Sequence, residues 1–206
     1  MSDPGQALHD GEVVILPTDT VYGLCASAST PEPVERLYAL KGRGAEQPSA
    51  LLAADLEALL AWLPELEGRP AAIVRALLPG PYTLVVPNPA RRYRWLTGTT
   101  PDAIGVRVPA LSPAAARAVA AVGCVAATSA NRPGGPDPRR LDDVPRELLD
   151  GVAAVVDAGE LPGTPSTVLD VTTAEPRVIR EGAVPSAEAL ARALDARLGA
   201  EYDPAV

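Results

Sequence analysis

Lys41, in Leu40-Lys41-Gly42-Arg43-Gly44, is the single lysine among 18 basic side chains. Arginine offers a planar, permanently charged fork, whereas lysine offers a compact ammonium on a flexible stem. A chain that uses lysine once has either drifted in composition or needs a point charge there, and a phosphate is the usual reason. Gly42 and Arg43 place two cations on a glycine-flanked turn, where both can face one anion. Other polar groups stand where apolar runs stop: Thr18-Asp19-Thr20 after Pro17, Ser129-Ala130-Asn131, and Ser166-Thr167. Taken singly, Ser129 can cap a turn, Asn131 can take a left-handed position, and Thr18 can satisfy backbone after Pro17. Converging with Lys41, Arg43, Arg107 and Arg180, they would line one anion-binding pocket. Arg107 lies inside Ile104-Gly105-Val106-Arg107-Val108-Pro109, which otherwise reads as a buried strand. A buried guanidinium needs a partner. It is either an internal carboxylate such as Asp157 or Asp170, or a substrate carboxylate held by both prongs of the fork.

Composition narrows the function. The length of 206 residues fits one domain, or one domain with a small appendage. Hydrophobic content of 47% allows a sizeable core, built from Ala, Val, Leu and Ile because phenylalanine is absent. A net charge of −8 and a pI near 4.7 disfavour a broad grip on a nucleic-acid backbone, which needs many cationic contacts. Arg91-Arg92-Tyr93-Arg94-Trp95 mixes cations and aromatics in the manner of a weak RNA contact. In so acidic a chain it fits better as a solvated loop or a mobile flap over the site. Cys25 and Cys124 lack CxxC or metal-ligand spacing and read as buried free thiols, which suits a reducing, cytoplasmic setting. His9 stands alone and is expected to be solvated, so neither a zinc site nor a His-based triad is expected. No apolar run reaches about 18 residues, so neither a signal peptide nor a membrane span is expected.

The elements that must position these groups follow from periodicity and punctuation. Strands are expected at 12–16, 22–29, 50–53, 82–86, 103–108, 124–128, 152–156, 167–171 and 178–180. Helices are expected from Pro31 (N-capped by Thr30) to Gly42, at 55–63, 70–78, 112–122 and 142–149, and at 186–199 with Ser186 as N-cap. Residues 1–6 read as a frayed end. Alternating strands and helices imply an α/β sheet of mixed direction.

Taken in order, Pro17-Thr18-Asp19-Thr20-Val21-Tyr22-Gly23-Leu24, Lys41-x-Arg43, Pro79-Gly80-Pro81-Tyr82-Thr83, Gly105-Val106-Arg107-Val108-Pro109, Ser129-Ala130-Asn131, Pro165-Ser166-Thr167 and Arg180-x-Gly182 resemble the YrdC-like threonylcarbamoyl-AMP synthases. The likeness runs from about residue 7 to 185. It departs at Gly44, where proline is usual, at Gln47-Pro48-Ser49, where a small polar residue, proline and leucine are common, and at Cys25, which replaces a frequent glycine. The resemblance implies an open, twisted mixed sheet flanked by helices, with a large concave positive cavity. Because longer members append a second domain, it implies a single-domain short form here, with a core at 7–185 and a C-terminal helix. It also implies synthesis of threonylcarbamoyl-AMP and pyrophosphate from L-threonine, bicarbonate and ATP, with Mg2+ brought by ATP. A tRNA-modifying transferase complex would act downstream. By position in the motifs, Lys41, Arg43, Ser129 and Asn131 would be catalytic. Lys41, Arg43, Ala103, Ser129, Asp137 and Arg180 would bind ATP, and Thr18, Arg107, Ala127 and Ser166 would hold threonine.

Overall fold

The computed structural model describes residues 2–201, with side chains to residue 197. Nine strands form one mixed sheet: Val14–Pro17 (β1), Tyr22–Ser27 (β2), Ala50–Ala53 (β3), Tyr82–Pro87 (β4), Ala103–Arg107 (β5), Cys124–Ser129 (β6), Ala154–Val155 (β7), Thr167–Asp170 (β8) and Arg177–Arg180 (β9). Their order across the sheet is β7-β1-β2-β6-β3-β5-β4-β8-β9. The β1/β7, β3/β5 and β4/β8 pairs are parallel and the remaining neighbours antiparallel.

The helices are Pro4–His9 (α1), Pro31–Lys41 (α2), Leu56–Trp62 (α3), Gly68–Leu77 (α4), Pro113–Ala120 (α5), Arg146–Asp150 (α6) and Ser186–Glu201 (α7). Side chains alternate along each strand, and the two faces are used differently. Tyr22, Leu24, Leu51, Leu84, Ile104 and Val106 bury one face under α2, α4 and α7, which contribute Val34, Leu37, Ile73, Val74, Ala189 and Ala193. Val14, Leu16, Cys25, Leu52 and Val125 bury part of the other face under Ala7 and Leu8 of α1 and Ala115 and Val119 of α5. Beyond that second layer the same face is left to a cleft.

Four expectations need correction. Of the expected frayed end at 1–6, the described residues 2–6 are ordered into a helix start: Asp3 accepts the Gln6 N–H and begins α1 with Pro4 in its first turn, and Leu8 is fully buried. The expected helix at 142–149 is broken by Pro145 into a 3₁₀ turn, Leu141–Asp143, and α6. Val144 before the proline is extended at φ −74°, ψ 129°. Ser186 is the first residue of α7 rather than its cap, and its N–H and hydroxyl both reach the Glu181 carboxylate. The strand expected at 152–156 shortens to Ala154–Val155.

Candidate active site

The cleft encloses about 300 Å³, and its floor explains how it stays open. Register aligns Gly23 with Ser129, Ala50 with both Ala127 and Gly105, Gly105 with Val85, and Val168 with both Thr83 and Arg180. Gly23, Ser129, Ala127, Ala50 and Gly105 therefore put small residues side by side across the middle of the sheet, where a helix would otherwise need large ones to pack against. A Cβ on Gly105 would meet Thr83 Cγ2 at 3.6 Å and Ala50 Cα at 3.8 Å, so glycine there serves the space above the strand rather than the strand itself.

One wall comes from the end of α2. Gly42 takes φ +67°, and the N–H groups of Gly42 and Arg43 bond back to the Ala39 and Tyr38 carbonyls, a Schellman-type stop. This leaves Lys41 on the last helical turn and sends Arg43 outward into the cleft. The Lys41 ammonium donates to the Ser129 carbonyl and, at 2.8 Å, to Asn131 Oδ1. Ser129 Oγ donates to the same Asn131 oxygen at 2.8 Å, while Asn131 Nδ2 donates to the Gly135 carbonyl at 2.7 Å. Arg43 donates to Thr128 Oγ1 at 3.1 Å and to the Gln47 and Pro48 carbonyls, with its guanidinium 5.5 Å from the Tyr38 ring centre. Those carbonyl contacts fix the path of the loop after Gly44. Burial pushes the Lys41 pKa down to about 8, helped by the Arg43 charge and opposed by Asp137. Burial also lowers Arg43, against the pull of Tyr38 and Glu46.

Arg107 forms the opposite wall. Its partner is neither Asp157 nor Asp170 but Asp19, at 3.1 Å, with Thr20 Oγ1 at 3.2 Å. Asp157 instead accepts from the Tyr22 hydroxyl and the Gly159 N–H, and Asp170 pairs with Arg177. Arg107 and Asp19 are both pushed toward neutrality by burial, each held back by the other's charge. The guanidinium remains charged because its basicity is so high. At the third wall Arg180 donates to the Ser166 carbonyl at 2.8 Å, and Ser166 Oγ shares a 2.8 Å hydrogen bond with Thr83 Oγ1.

Of the residues singled out from sequence, Arg43, Ala103, Arg107 and Ala127 line the cleft, as do Ser129, Asp137, Ser166 and Arg180. Lys41 and Asn131 are buried immediately beside Ser129. Thr18 does not line it: its hydroxyl donates to the Val21 carbonyl and accepts the Thr20 and Val21 N–H groups. Sequence reasoning missed Thr83, Thr100 and Thr128 on the cleft walls. The Pro79-Gly80-Pro81-Tyr82-Thr83 motif held the signal for the first, but it reads as a turn. The Arg91–Trp95 segment does not line the cleft and is packed against its neighbours. Tyr93 stacks on Trp62 at 5.3 Å, Trp95 donates to the Ala28 carbonyl, and Arg91 and Arg92 pair with Asp102 and Glu65.

The lining charges, three guanidiniums against the Asp137 carboxylate, make the cleft positive within an acidic chain. Such a site can hold a polyanion at one end and a carboxylate at the other.

A family model described as "Telomere recombination" (Sua5_yciO_yrdC) matches residues 6–182. A threonylcarbamoyl-AMP synthase of Vibrio parahaemolyticus is 34% identical over 181 residues, covering 85% of this chain and 95% of that protein. One of Pyrococcus abyssi is 34% identical over 182 residues, covering 88% of this chain but 53% of the relative, so the chain spans about half its length. The crystal structure of P. abyssi Sua5 complexed with L-threonine superposes with a TM-score of 0.76 at 31% identity, over 89% of this chain and 54% of that one. With its motifs in order, its open mixed sheet and its positive cleft, the chain belongs to the Sua5/YciO/YrdC family.

Proposed function

We propose that this chain is a threonylcarbamoyl-AMP synthase, making threonylcarbamoyl-AMP and pyrophosphate from L-threonine, bicarbonate and ATP. One observation carries the reading. In a chain of net charge −8, the lone lysine and three arginines gather around one cleft with a floor of small residues. The names of the relatives support the same activity.

In the reaction, threonine's amine bonds to the bicarbonate carbon with loss of water. A carbamate oxygen then bonds to the α-phosphorus of ATP as the α–β bridging bond breaks and pyrophosphate leaves. Such a transfer needs positioning and positive charge where negative charge accumulates. Lys41 and Arg43 would hold the phosphates, with Ser129 and Asn131 orienting them. Ala103, Asp137 and Arg180 would contact the nucleotide. Arg107 would take the threonine carboxylate, with Ala127 and Ser166 completing that subsite and Thr18 shaping the turn beside it. Among the described residues no cluster of three or more His, Cys, Asp or Glu side chains is placed to hold a metal, and Asp137 is the carboxylate on the cleft wall. That donor set fits Mg2+ carried by the triphosphate, with Asp137 as the carboxylate available to it. The ion would neutralise charge on the phosphate oxygens.

The product's acyl-phosphate bond is activated toward the amino group of an adenosine. A tRNA-modifying transferase complex in the cytoplasm would consume it, with at most a weak RNA contact by this chain. Among the described residues no helix is long and apolar enough to cross a membrane. Pyrophosphate release measured with ATP and bicarbonate, with and without threonine, tests the reading. Release that depends on threonine is expected. Release without threonine would instead indicate activation of plain carbamate, and no release would remove the assignment.

A further inference from the structure

We infer that Asp19 is a positioning residue that fixes the Arg107 guanidinium for a carboxylate-bearing ligand, while Asp19 itself stays off the cleft. The inference rests on the reading of Arg107 as the threonine carboxylate site. Asp19 lies in the turn between β1 and β2, and that turn is locked from inside. Thr18 Oγ1 accepts the Thr20 and Val21 N–H groups, each at 3.2 Å, and donates to the Val21 carbonyl at 2.7 Å. Held this way, Asp19 Oδ1 and Thr20 Oγ1 both accept from Arg107 Nη2, at 3.1 and 3.2 Å. The other Asp19 oxygen accepts the Ala110 N–H at 3.3 Å, tying the turn to the chain just beyond β5. Both charged side chains are nearly enclosed, at 11% and 12% exposure. Arg107 borders the cleft, and its Nε is buried without a hydrogen-bond partner. One corner of the fork is therefore anchored on a residue that still borders the cleft.

Charge and geometry predict opposite effects for this aspartate. If Asp19 acted only by its charge, it would weaken the attraction of Arg107 for a second anion, and its removal would tighten carboxylate binding. If it acts by holding the fork, removal leaves a long side chain to sample several rotamers in a partly open cleft, and carboxylate binding weakens. The anchored geometry favours the second.

Calorimetric titration of the full chain with L-threonine and with L-threoninamide, which lacks the carboxylate, reads this directly. Unsubstituted protein is expected to prefer threonine by at least about tenfold, the scale of a charge-assisted hydrogen bond. In Asp19→Ala that preference is expected to collapse toward one, whereas a purely structural defect would weaken both ligands together and leave the ratio intact. Should Asp19→Ala fail to give a cooperative melt, Asp19→Asn preserves the shape and is expected to lower the ratio by about threefold. A ratio that is unchanged or larger in the variant that folds overturns the inference, as does the lack of any threonine preference in the unsubstituted chain. A collapsed ratio in a chain that releases no pyrophosphate would retain the inference and discard the synthase reading. An unchanged ratio in an active chain would do the reverse.

Discussion

The Lys41 ammonium is bonded to a backbone carbonyl and an amide oxygen, neither of which neutralises it, and it lies within the influence of Arg43. Its pKa of about 8, against 10.5 for an unperturbed lysine, makes this residue titrate close to the working range. A phosphate-binding role needs the charged form. The kcat/KM for ATP, which reports the free enzyme, is therefore expected to fall tenfold per pH unit above about 8. Bound phosphates restore a counter-charge, so kcat should hold to higher pH. A Lys41→Arg variant should lack the fall, because arginine stays charged throughout that range. A flat profile in the unsubstituted chain would contradict the phosphate role. The stability consequence has a definite sign. Between about 8 and 10.5 the unfolded chain binds the Lys41 proton more than the folded one, so this residue makes stability rise with pH across that window. Below 8 both states are protonated and the burial penalty is present in full. Denaturant midpoints at pH 7.5 and 10 should therefore differ between unsubstituted protein and Lys41→Met by an increment that favours the unsubstituted chain at the higher pH.

At the scale of elements, the cleft depends on strands that place small residues in register. Gly105→Val puts a β-branched side chain where strand geometry accepts it but where the floor of the cleft lies. The expected outcome is a KM for ATP or threonine raised at least about tenfold with a melting temperature changed by no more than a few degrees. A large loss of stability with unchanged KM would show that Gly105 serves the strand. The second face depends on α1, so Leu8→Ala, deep under that helix, should destabilise by about 2–5 kcal/mol in urea titrations. A change within error would mean that the α1 layer does not share in the cooperative core. Most elements were legible because apolar runs were stopped by prolines and glycines, as with Gly42 after α2 and Pro79-Gly80-Pro81 before β4. The α1 helix was missed for a physical reason: six residues with Pro4 and Gly5 carry almost no intrinsic helical preference, and burial against α5 supplies the rest. The site was legible in its cations and hydroxyls. The Arg107 partner was misjudged because sequence separation hides what the β1–β2 turn places beside the end of β5. The roles of Gly105 and Ala50 were invisible because their function is the space they leave.

For the whole molecule, the two faces of the sheet are separate cores, and each holds one cysteine. Cys25 lies under α1 and α5, and Cys124 lies in the larger core with α2, α3 and α4. Burial pushes both thiols up to about 12, so neither is a nucleophile in the folded chain, and each reports the opening of its own face. The α1/α5 layer covers its face with a six-residue and an eight-residue helix rich in alanine, whereas the opposite layer buries Tyr22, Tyr82, Ile73 and many leucines. Less apolar area guards Cys25, so its local opening costs less free energy than global unfolding. In sub-denaturing urea, a small disulfide reagent should therefore label Cys25 faster than Cys124, with the two rates converging as the global transition is approached. Measured separately in Cys25→Ala and Cys124→Ala variants, equal rates at every urea concentration would mean that both faces open together. Cys124 reacting first would place the weaker layer on the α2, α3 and α4 side.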